Sequence, residues 1–491
     1  MLATIMQVLD TSIANVALPH MQGSLSASQE EISWVLTSYI VAAAIMTPVT
    51  GWLVARLGRR TVFLISVAGF TFASMLCGAA ATLPQIVVFR MLQGVFGAAL
   101  VPLSQAVLLD IYPKEKHGSA MSIWSVGIMV APILGPTIGG ALTDSFNWRW
   151  VFYINLPIGI IAFFGILVFL TESKRDRGRP FDLFGFAFLS LAIGALQMVL
   201  DRGHSKDWFG SSEIVVEAGL ALAAIWIFLV HMITAKKPFL TPAIFRDRNF
   251  VVANIFMFIA SFIMYATLAL FPAMLTMLNY PITTTGMLQA PRGIAMMLVM
   301  MMIGRFIGRV DVRFFLALAY GGMGFALWQM TGFSSAMDMW PFITAGVIQG
   351  LSFGFLFVPL NAVAFGSLKP EMRTEATALY SLIRNTGGSI GIAIAETVLG
   401  RSIQINHAVL AESVTPYNQA LREPAVQSFW SLDTLGGLSA LDHMVNAQAA
   451  MIGYNNNFKL MMIVCFCAIP LLMFLRPARR AGAPVPAPAT E

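Results

Sequence analysis

Apolar runs recur from one end of the chain to the other, each about as long as the roughly 20 residues needed to cross ~30 Å of hydrocarbon. They stand at 2–19, 33–55, 61–81, 84–109, 118–142, 150–171, 182–200, 214–234, 250–277, 284–304, 313–333, 340–366, 374–400 and 458–475, fourteen in all. Each is expected to be a helix, because a chain in lipid satisfies its backbone only as helices or as a closed barrel. The pattern predicts an all-α polytopic membrane protein. Two segments fall outside it. Residues 401–457 read as one long polar outer loop, partly helical, and AGAPVPAPATE (481–491) has the Pro/Ala composition of a disordered tail.

The pattern also repeats. Gln93-Gly94, Gly97 and Val101-Pro102-Leu103 in span 4 recur as Gln349-Gly350, Gly354 and Val358-Pro359-Leu360 in span 12, 256–257 residues later. GWLVARLGRR (51–60) recurs as GRFIGRVDVR (304–313), 253 residues later. The chain is therefore expected to hold two six-helix halves, 1–171 and 250–475, with two helices inserted at 182–234 and a tail at 476–491. Paired halves of this kind are a transporter architecture, with the substrate site near the bilayer midplane.

Composition agrees: 57% of the 491 residues are hydrophobic and 11% charged, against about 25% charged in a soluble domain. The net charge of +6 does not call for nucleic acid. The loops after even-numbered spans and the tail segment RPARR (476–480) carry 21 of the 30 Lys and Arg, whereas the opposite loops, such as GSLSASQEE (23–31), are nearly neutral. This bias predicts that both termini face the cytoplasm. The three cysteines, Cys77, Cys465 and Cys467, lie in apolar runs without metal-site spacing. No cleavable signal peptide is expected. The opening MLATIMQVLD has no charge ahead of it, so span 1 is expected to be short at its cytoplasmic end.

Residues 127–142, GIMVAPILGPTIGGAL, form an unusual span, with two prolines and four glycines. Gly127, Ala131, Gly135 and Gly139 recur every four residues, so small side chains line one face and a neighbouring backbone approaches closely. Such a face fits any tightly packed membrane helix. It also fits a seal across the interface between the halves, with Pro132 and Pro136 allowing the helix to bend.

The motif Gly127-x-x-x-Ala131-Pro132-x-x-Gly135-Pro136-x-x-Gly139-Gly140 resembles the antiporter motif of span 5 in the major facilitator superfamily. LDTSIANVALP (9–19) resembles the span 1 signature of the fourteen-span drug/proton antiporters of the EmrB/QacA type, FRMLQGVFG (89–97) their span 4 arginine motif, and LIRNTGGSIGIAI (382–394) their span 13. VAPILGPTIGGALTD, LAESVTPYNQAL and QAAMIGYNNNF are similar to the EmrB branch. The resemblance covers nearly the whole chain. It implies proton-driven efflux of hydrophobic drugs or toxic compounds through a bacterial inner membrane, with a periplasmic adaptor and an outer-membrane channel as partners. A dedicated exporter of one metabolite (a siderophore, peptide or lipid precursor) is the alternative. The loop after span 2 departs from the family pattern. Gly51, Gly58, Arg59 and Arg60 fit the gate loop, but Ala55 stands where an Asp is usual, so the cytoplasmic gate is expected to close differently.

Charges inside spans are the remaining candidates, since a charge at mid-bilayer costs at least about 2.5–3.5 kcal/mol. Asp10 reads as a proton carrier or as a hydrogen-bond anchor. Arg90 reads as its counter-charge, as a structural ion pair or as a snorkelling side chain. Glu396 is a second candidate proton site. Arg292 and Arg384 either line a cavity that attracts anions or are paired structurally. Asn15, Gln93 and Trp124, together with Trp34, Tyr39 and Gln105, are candidate cavity residues. The methionines of 295–304 read as adaptable cavity lining or as core and lipid-facing filler. No G-x-x-x-x-G-K-[ST] loop, metal cluster or catalytic triad is present. The expected energy source is a proton gradient with no cofactor, and the expected partners are lipophilic small molecules, protons and membrane lipid.

Overall fold

The computed structural model describes residues 1–113, 116–172, 180–203, 205–236, 238–304, 306, 310–368, 372–415, 417–423, 430, 432 and 434–475. The tail 481–491 and much of the basic loop sequence lie outside these residues, as do the side chains of Pro132 and Pro136.

The described chain is helical throughout its apolar runs. In order, the helices are α1 (Leu2–Ser24), α2 (Gln29–Met46), α3 (Val49–Leu57), α4 (Arg59–Ala79), α5 (Leu83–Gly97), α6 (Leu100–Ile111), α7 (His117–Ser145), α8 (Trp150–Tyr153), α9 (Asn155–Phe169), α10 (Leu183–Arg202), α11 (Ser212–Thr234), α12 (Arg248–Met277), α13 (Ile282–Ile303), α14 (Val312–Met330), α15 (Met339–Gly366), α16 (Arg373–Ala411) and α17 (Leu435–Ala468). Two breaks have local causes. Pro48 cannot donate into the ladder between α2 and α3, and the Thr47 hydroxyl takes the Ala43 carbonyl at 2.6 Å, so the pair bends by 56°. Pro102 has no N–H to offer the carbonyl four residues back, that of Ala98, where α5 gives way to α6.

Among the described residues, ten helices are long and apolar enough to cross a membrane, or eleven when the bent pair α2–α3 is taken as one span. The expected spans at 313–333 and 374–400 are helices α14 and α16 but do not reach that apolarity, and of the expected span at 118–142, helix α7, the described residues give the shorter apolar stretch Ser119–Ile128. Arg313 and Gln329 near its ends dilute α14. Thr374, Glu375, Arg384 and Asn385 do the same in α16.

The segment 401–457 is not a loop for most of its length. Helix α16 runs for 39 residues and α17 for 34. At about 1.5 Å per residue both exceed the ~30 Å hydrocarbon core. The two helices pack on each other, so the polar stretch is largely their continuation.

Helix packing sets the site. Helix α1 lies against α7 and α9, α2 against α5, and α4 against α5 and α9. Helix α13 lies against α15, α12 against α16, and α14 against α15 and α17. Helices α7 and α13 touch, as do α6 and α16. Helix α10 lies against both α2 and α16. Its Asp182 caps its own first turn through the Gly185 amide and accepts from the Phe239 amide and the His231 ring, each within 3.0 Å.

The small face of α7 meets α1. A Cβ on Gly127 would stand 3.4 Å from Ile5, one on Gly139 would stand 2.9 Å from the Ile13 side chain, and one on Gly135 would strike the Ser12 side chain. The expectation that this face seals an interface with the other repeat is therefore corrected. A four-residue spacing fixes which residues share a face, but not which helix covers it. Contact with α13 comes from another part of α7, where the Ser122 hydroxyl donates to the Met300 carbonyl.

Candidate functional site

Asp10 and Arg90 are both fully buried and form an ion pair of 2.6 Å between Oδ2 and Nη1. Asp10 sits on α1 and Arg90 on α5, and four other helices complete the arrangement. Gln93, one turn beyond Arg90 on α5, donates to Asp10 Oδ1 at 2.9 Å and accepts from Arg90 Nη1 at 2.7 Å. Asn155, at the start of α9, donates to Asp10 Oδ1 at 2.7 Å and to the Ser74 hydroxyl of α4 at 2.9 Å. Arg90 Nε donates to the Val35 carbonyl of α2 at 3.1 Å. The guanidinium lies between the rings of Tyr39 and Phe152, 4.8 and 5.2 Å from their centroids. Phe152, on α8, also supplies the carbonyl that accepts from Ser74 at 2.9 Å.

Such a pair keeps its charges at low dielectric only because nearly every lone pair and N–H has a partner. The carboxylate accepts three donors. The guanidinium has one nitrogen, Nη2, with no hydrogen-bond partner, and a face cushioned by two aromatic rings. The snorkelling alternative for Arg90 is excluded by its zero exposure. Asn155 and Ser74 were absent from the expected site. The signal for Asn155 was there, as a single amide in the apolar run of span 6.

A second charge cluster lies at the end of the bundle that carries the basic loops. Asp110, near the end of α6, accepts from Arg59 at 2.8 Å and from Arg373 at 2.8 Å. Arg373 also donates to the Leu109 carbonyl at 2.9 Å. Arg59 begins α4 and Arg373 begins α16, so one carboxylate joins helices from both repeats. Gly58 has a φ of +91°, a conformation that favours glycine, and turns the chain from α3 into α4. The Glu172 carboxylate beside it accepts from the Arg60 amide at 3.0 Å and the Thr61 hydroxyl at 2.7 Å, capping the N-terminus of α4. Arg60 reaches the Leu167 carbonyl at 2.6 Å. Gly51 packs against the Glu375 backbone, 3.3 Å from where its Cβ would stand. Ala55 thus leaves the loop without its own carboxylate, and Asp110 and Glu172 meet its end from other segments.

The remaining expected residues are scattered. Glu396 is exposed on α16, and Asn15 is exposed on α1. Trp124 is buried on α7 and donates to the Ser104 hydroxyl at 3.0 Å. Gln105 donates to Asn361 of α15 at 3.4 Å, between the two repeats. Gln93 belongs to the ion-pair network. Arg384 is partly covered on α16, with its Nε buried and unpartnered. Arg292 lines a small cleft among α12, α13, α14 and α15. Of the methionines, Met296 and Met300 are in the core while Met301 and Met302 are exposed.

The Major Facilitator Superfamily profile matches residues 1–392. The chain is 35% identical over 487 residues to the fatty acid resistance protein FarB of Neisseria gonorrhoeae, covering 98% of this chain and 96% of that one. It is 35% identical over 491 residues to the multidrug export protein EmrB of Escherichia coli (strain K12), covering 98% and 95%. It is 26% identical over 486 residues to the colistin resistance protein EmrB of Acinetobacter baumannii, covering 96% and 94%. Among solved structures, a double tryptophan mutant of XylE superposes with a TM-score of 0.60 at 11% identity, covering 97% and 95% of the two chains. The human organic anion transporter MFSD10 superposes with a TM-score of 0.58 at 15% identity, covering 94% and 97%. At these identities the superpositions speak for the fold alone.

Proposed function

The chain belongs to the Major Facilitator Superfamily, and from that premise we propose that it is a proton-coupled exporter of hydrophobic drugs or toxic compounds working by alternating access. The observation that carries this reading is the buried Asp10–Arg90 pair. A fold that needed only stability would do as well with apolar side chains there. The relatives support the export direction, since their names state multidrug export and resistance to fatty acids and colistin.

The full architecture of the proposal has fourteen spans in the bacterial inner membrane, both termini in the cytoplasm. Two six-helix halves, 1–171 and 250–475, rock about a central cavity, with 182–234 inserted between them. Asp10 takes a proton from the outer side. As a carboxylic acid it no longer neutralises Arg90, so the guanidinium must find charge or solvent elsewhere, and α1 and α5 shift against each other. Release of the proton to the cytoplasm restores the pair. A periplasmic adaptor and outer-membrane channel complete the route, as in the EmrB branch.

The same reading makes Asp110, with Arg59 and Arg373, the latch that holds the cytoplasmic side closed. Asp110→Asn is expected to open that side more often. The asparagine keeps an oxygen for both arginines but loses its charge; a net loss of about 1.4 kcal/mol, the size of one charge-assisted bond at the low end of its range, would raise the open fraction about tenfold. The readout is maleimide labelling of a cysteine placed at Thr377, which is fully buried and donates to the Pro102 carbonyl at 3.3 Å. The background lacks the three native cysteines. An unchanged labelling rate would remove Asp110 from the gate.

The function itself is tested in everted vesicles energised to be acidic inside, with a pH-gradient dye and a panel of lipophilic cations and weak acids. Recovery of the dye signal with several unrelated compounds is expected. Recovery with a single metabolite only would replace this reading by a dedicated exporter, and no recovery with the adaptor co-expressed would reject export.

A further inference from the structure

Lys459 stands near the start of the apolar stretch FKLMMIVCFCA (458–468) of α17. A charge at membrane depth is costly and needs a reason. Its depth can be read from its neighbours. Asn455, one turn before it, donates to the Phe333 carbonyl at 2.9 Å. Phe333 follows the end of α14, which starts beside the basic segment at Val312 and finishes at Met330. Lys459 therefore lies at the end of the bundle opposite the basic loops, about 6 Å further into the span than Asn455 at ~1.5 Å per residue. A lysine there runs against the charge bias of the chain. Among the described residues it forms no ion pair and no hydrogen bond.

Lys459 lines a groove of about 400 Å³ between α14 and α17, with Trp328, Thr331, Asn455, Asn456 and Met462. Trp328, Asn456 and Lys459 are exposed. The Trp328 indole and the Asn456 amide donate to no described residue. The Thr331 hydroxyl gives its hydrogen to the Trp328 carbonyl at 2.7 Å, so towards a ligand it offers lone pairs. No carboxylate lines the groove among the described residues. The adjoining surface is apolar. Ile463 and Phe466 continue the Lys459 face of α17, and Phe325 continues the Trp328 face of α14, all of them exposed. A Cβ on Gly324 would stand 2.8 Å from the Phe466 ring, so the two helices close on each other at the foot of the groove.

From this juxtaposition we propose that the groove between α14 and α17 binds the head group of a phosphatidylglycerol-type lipid in the leaflet opposite the basic loops. The Lys459 ammonium faces the phosphodiester, which carries one negative charge, and the indole and amide N–H groups take its remaining oxygens. The head-group glycerol supplies the hydroxyl that donates to Thr331. An acyl chain runs along Phe325, Ile463 and Phe466, which gives a lipid an advantage over a free phosphate ester. A zwitterionic lipid brings an ammonium for which the groove has no carboxylate. A lipid with two phosphates would leave the second without a cation in the groove.

The test is photolabelling of the full chain in phosphatidylcholine nanodiscs doped with a photoactivatable phosphatidylglycerol, with the labelled peptides mapped by mass spectrometry. Label should concentrate on 325–331 and 455–466, above that on the exposed apolar face of α11, which carries Trp226 and Leu222. Unlabelled phosphatidylglycerol should displace it about tenfold more effectively than phosphatidylethanolamine with the same chains, the difference one charge-assisted contact supplies. Soluble glycerophosphate should not displace it. Lys459→Gln should lose that preference and Lys459→Arg should keep it, while Lys206→Gln, at a lysine paired with Glu213 at 3.7 Å, should behave as wild type. Label spread evenly over the lipid-facing helices of the wild type overturns the proposal, whatever the variants do. Equal displacement by phosphatidylethanolamine overturns the lipid class, and displacement by glycerophosphate shows an anion site that needs no lipid. Unchanged preference in Lys459→Gln reduces Lys459 to a side chain that merely snorkels to the surface.

Discussion

Everted vesicles carrying Asp10→Asn are expected to show no drug-dependent recovery of the pH-gradient dye, although the protein is inserted in normal amounts. The substitution keeps the shape of the side chain and still offers an oxygen to Gln93 and Asn155, which donate to Asp10 Oδ1 at 2.9 and 2.7 Å. It cannot neutralise Arg90, and its amide group points N–H donors at N–H donors. Breaking a buried pair from one side costs about 3–5 kcal/mol, because the other charge is left uncompensated. Lower thermal stability is therefore expected along with lost coupling. The second variant separates the two effects. Asp10→Asn with Arg90→Gln removes both charges and should recover stability, yet remain uncoupled, since no group is left to carry the proton. If Asp10→Asn vesicles respond fully to a pH gradient, the proton carrier lies elsewhere and Glu396 becomes the first candidate.

Gly139→Leu is expected to reduce efflux below about a tenth of wild type, equivalent to about 1.4 kcal/mol on the rate-limiting barrier. A Cβ alone would stand 2.9 Å from the Ile13 side chain and 3.4 Å from its Cα, so a leucine forces α1 and α7 apart. Overpacking of this kind typically costs about 1–3 kcal/mol. Ile13 is one turn from Asp10 on α1, so the displacement reaches the ion pair. Gly140 is the internal control, because a Cβ there meets nothing within 4 Å. Gly140→Ala should export normally at equal membrane levels. Efflux from Gly139→Leu equal to that from Gly140→Ala would show that close approach of α7 to α1 is not needed for the cycle.

Several parts of the site could be read before the fold because a membrane makes exceptions conspicuous. A charge in an apolar run is expensive, which singled out Asp10 and Arg90. A four-residue spacing of small side chains marks a face of close approach, which singled out Gly135 and Gly139. Asn155 was legible in the same way, as a lone amide in an apolar span. Asp110 carried no such mark, because an acid at the end of a span next to basic residues looks like ordinary surface. The polar stretch 401–457 was legible as partly helical, but not that α16 and α17 extend so far into it, since hydropathy reports the solvent around a segment and not whether its backbone is helical.

By itself the sequence determined an all-helical membrane protein, the repeat between its two parts, the family pattern and the short set of charges that lipid would not tolerate without purpose. These follow from local length, periodicity and transfer energy, which need no knowledge of neighbours. Only the tertiary structure decided who meets whom. It brought Asp10, Arg90, Gln93, Asn155 and Ser74 together from four helices, turned the glycine face of α7 onto α1, and set Asp110 between Arg59 and Arg373. Partners across helices are fixed by the register and rotation of each packed pair, and the one-dimensional pattern of a chain carries neither.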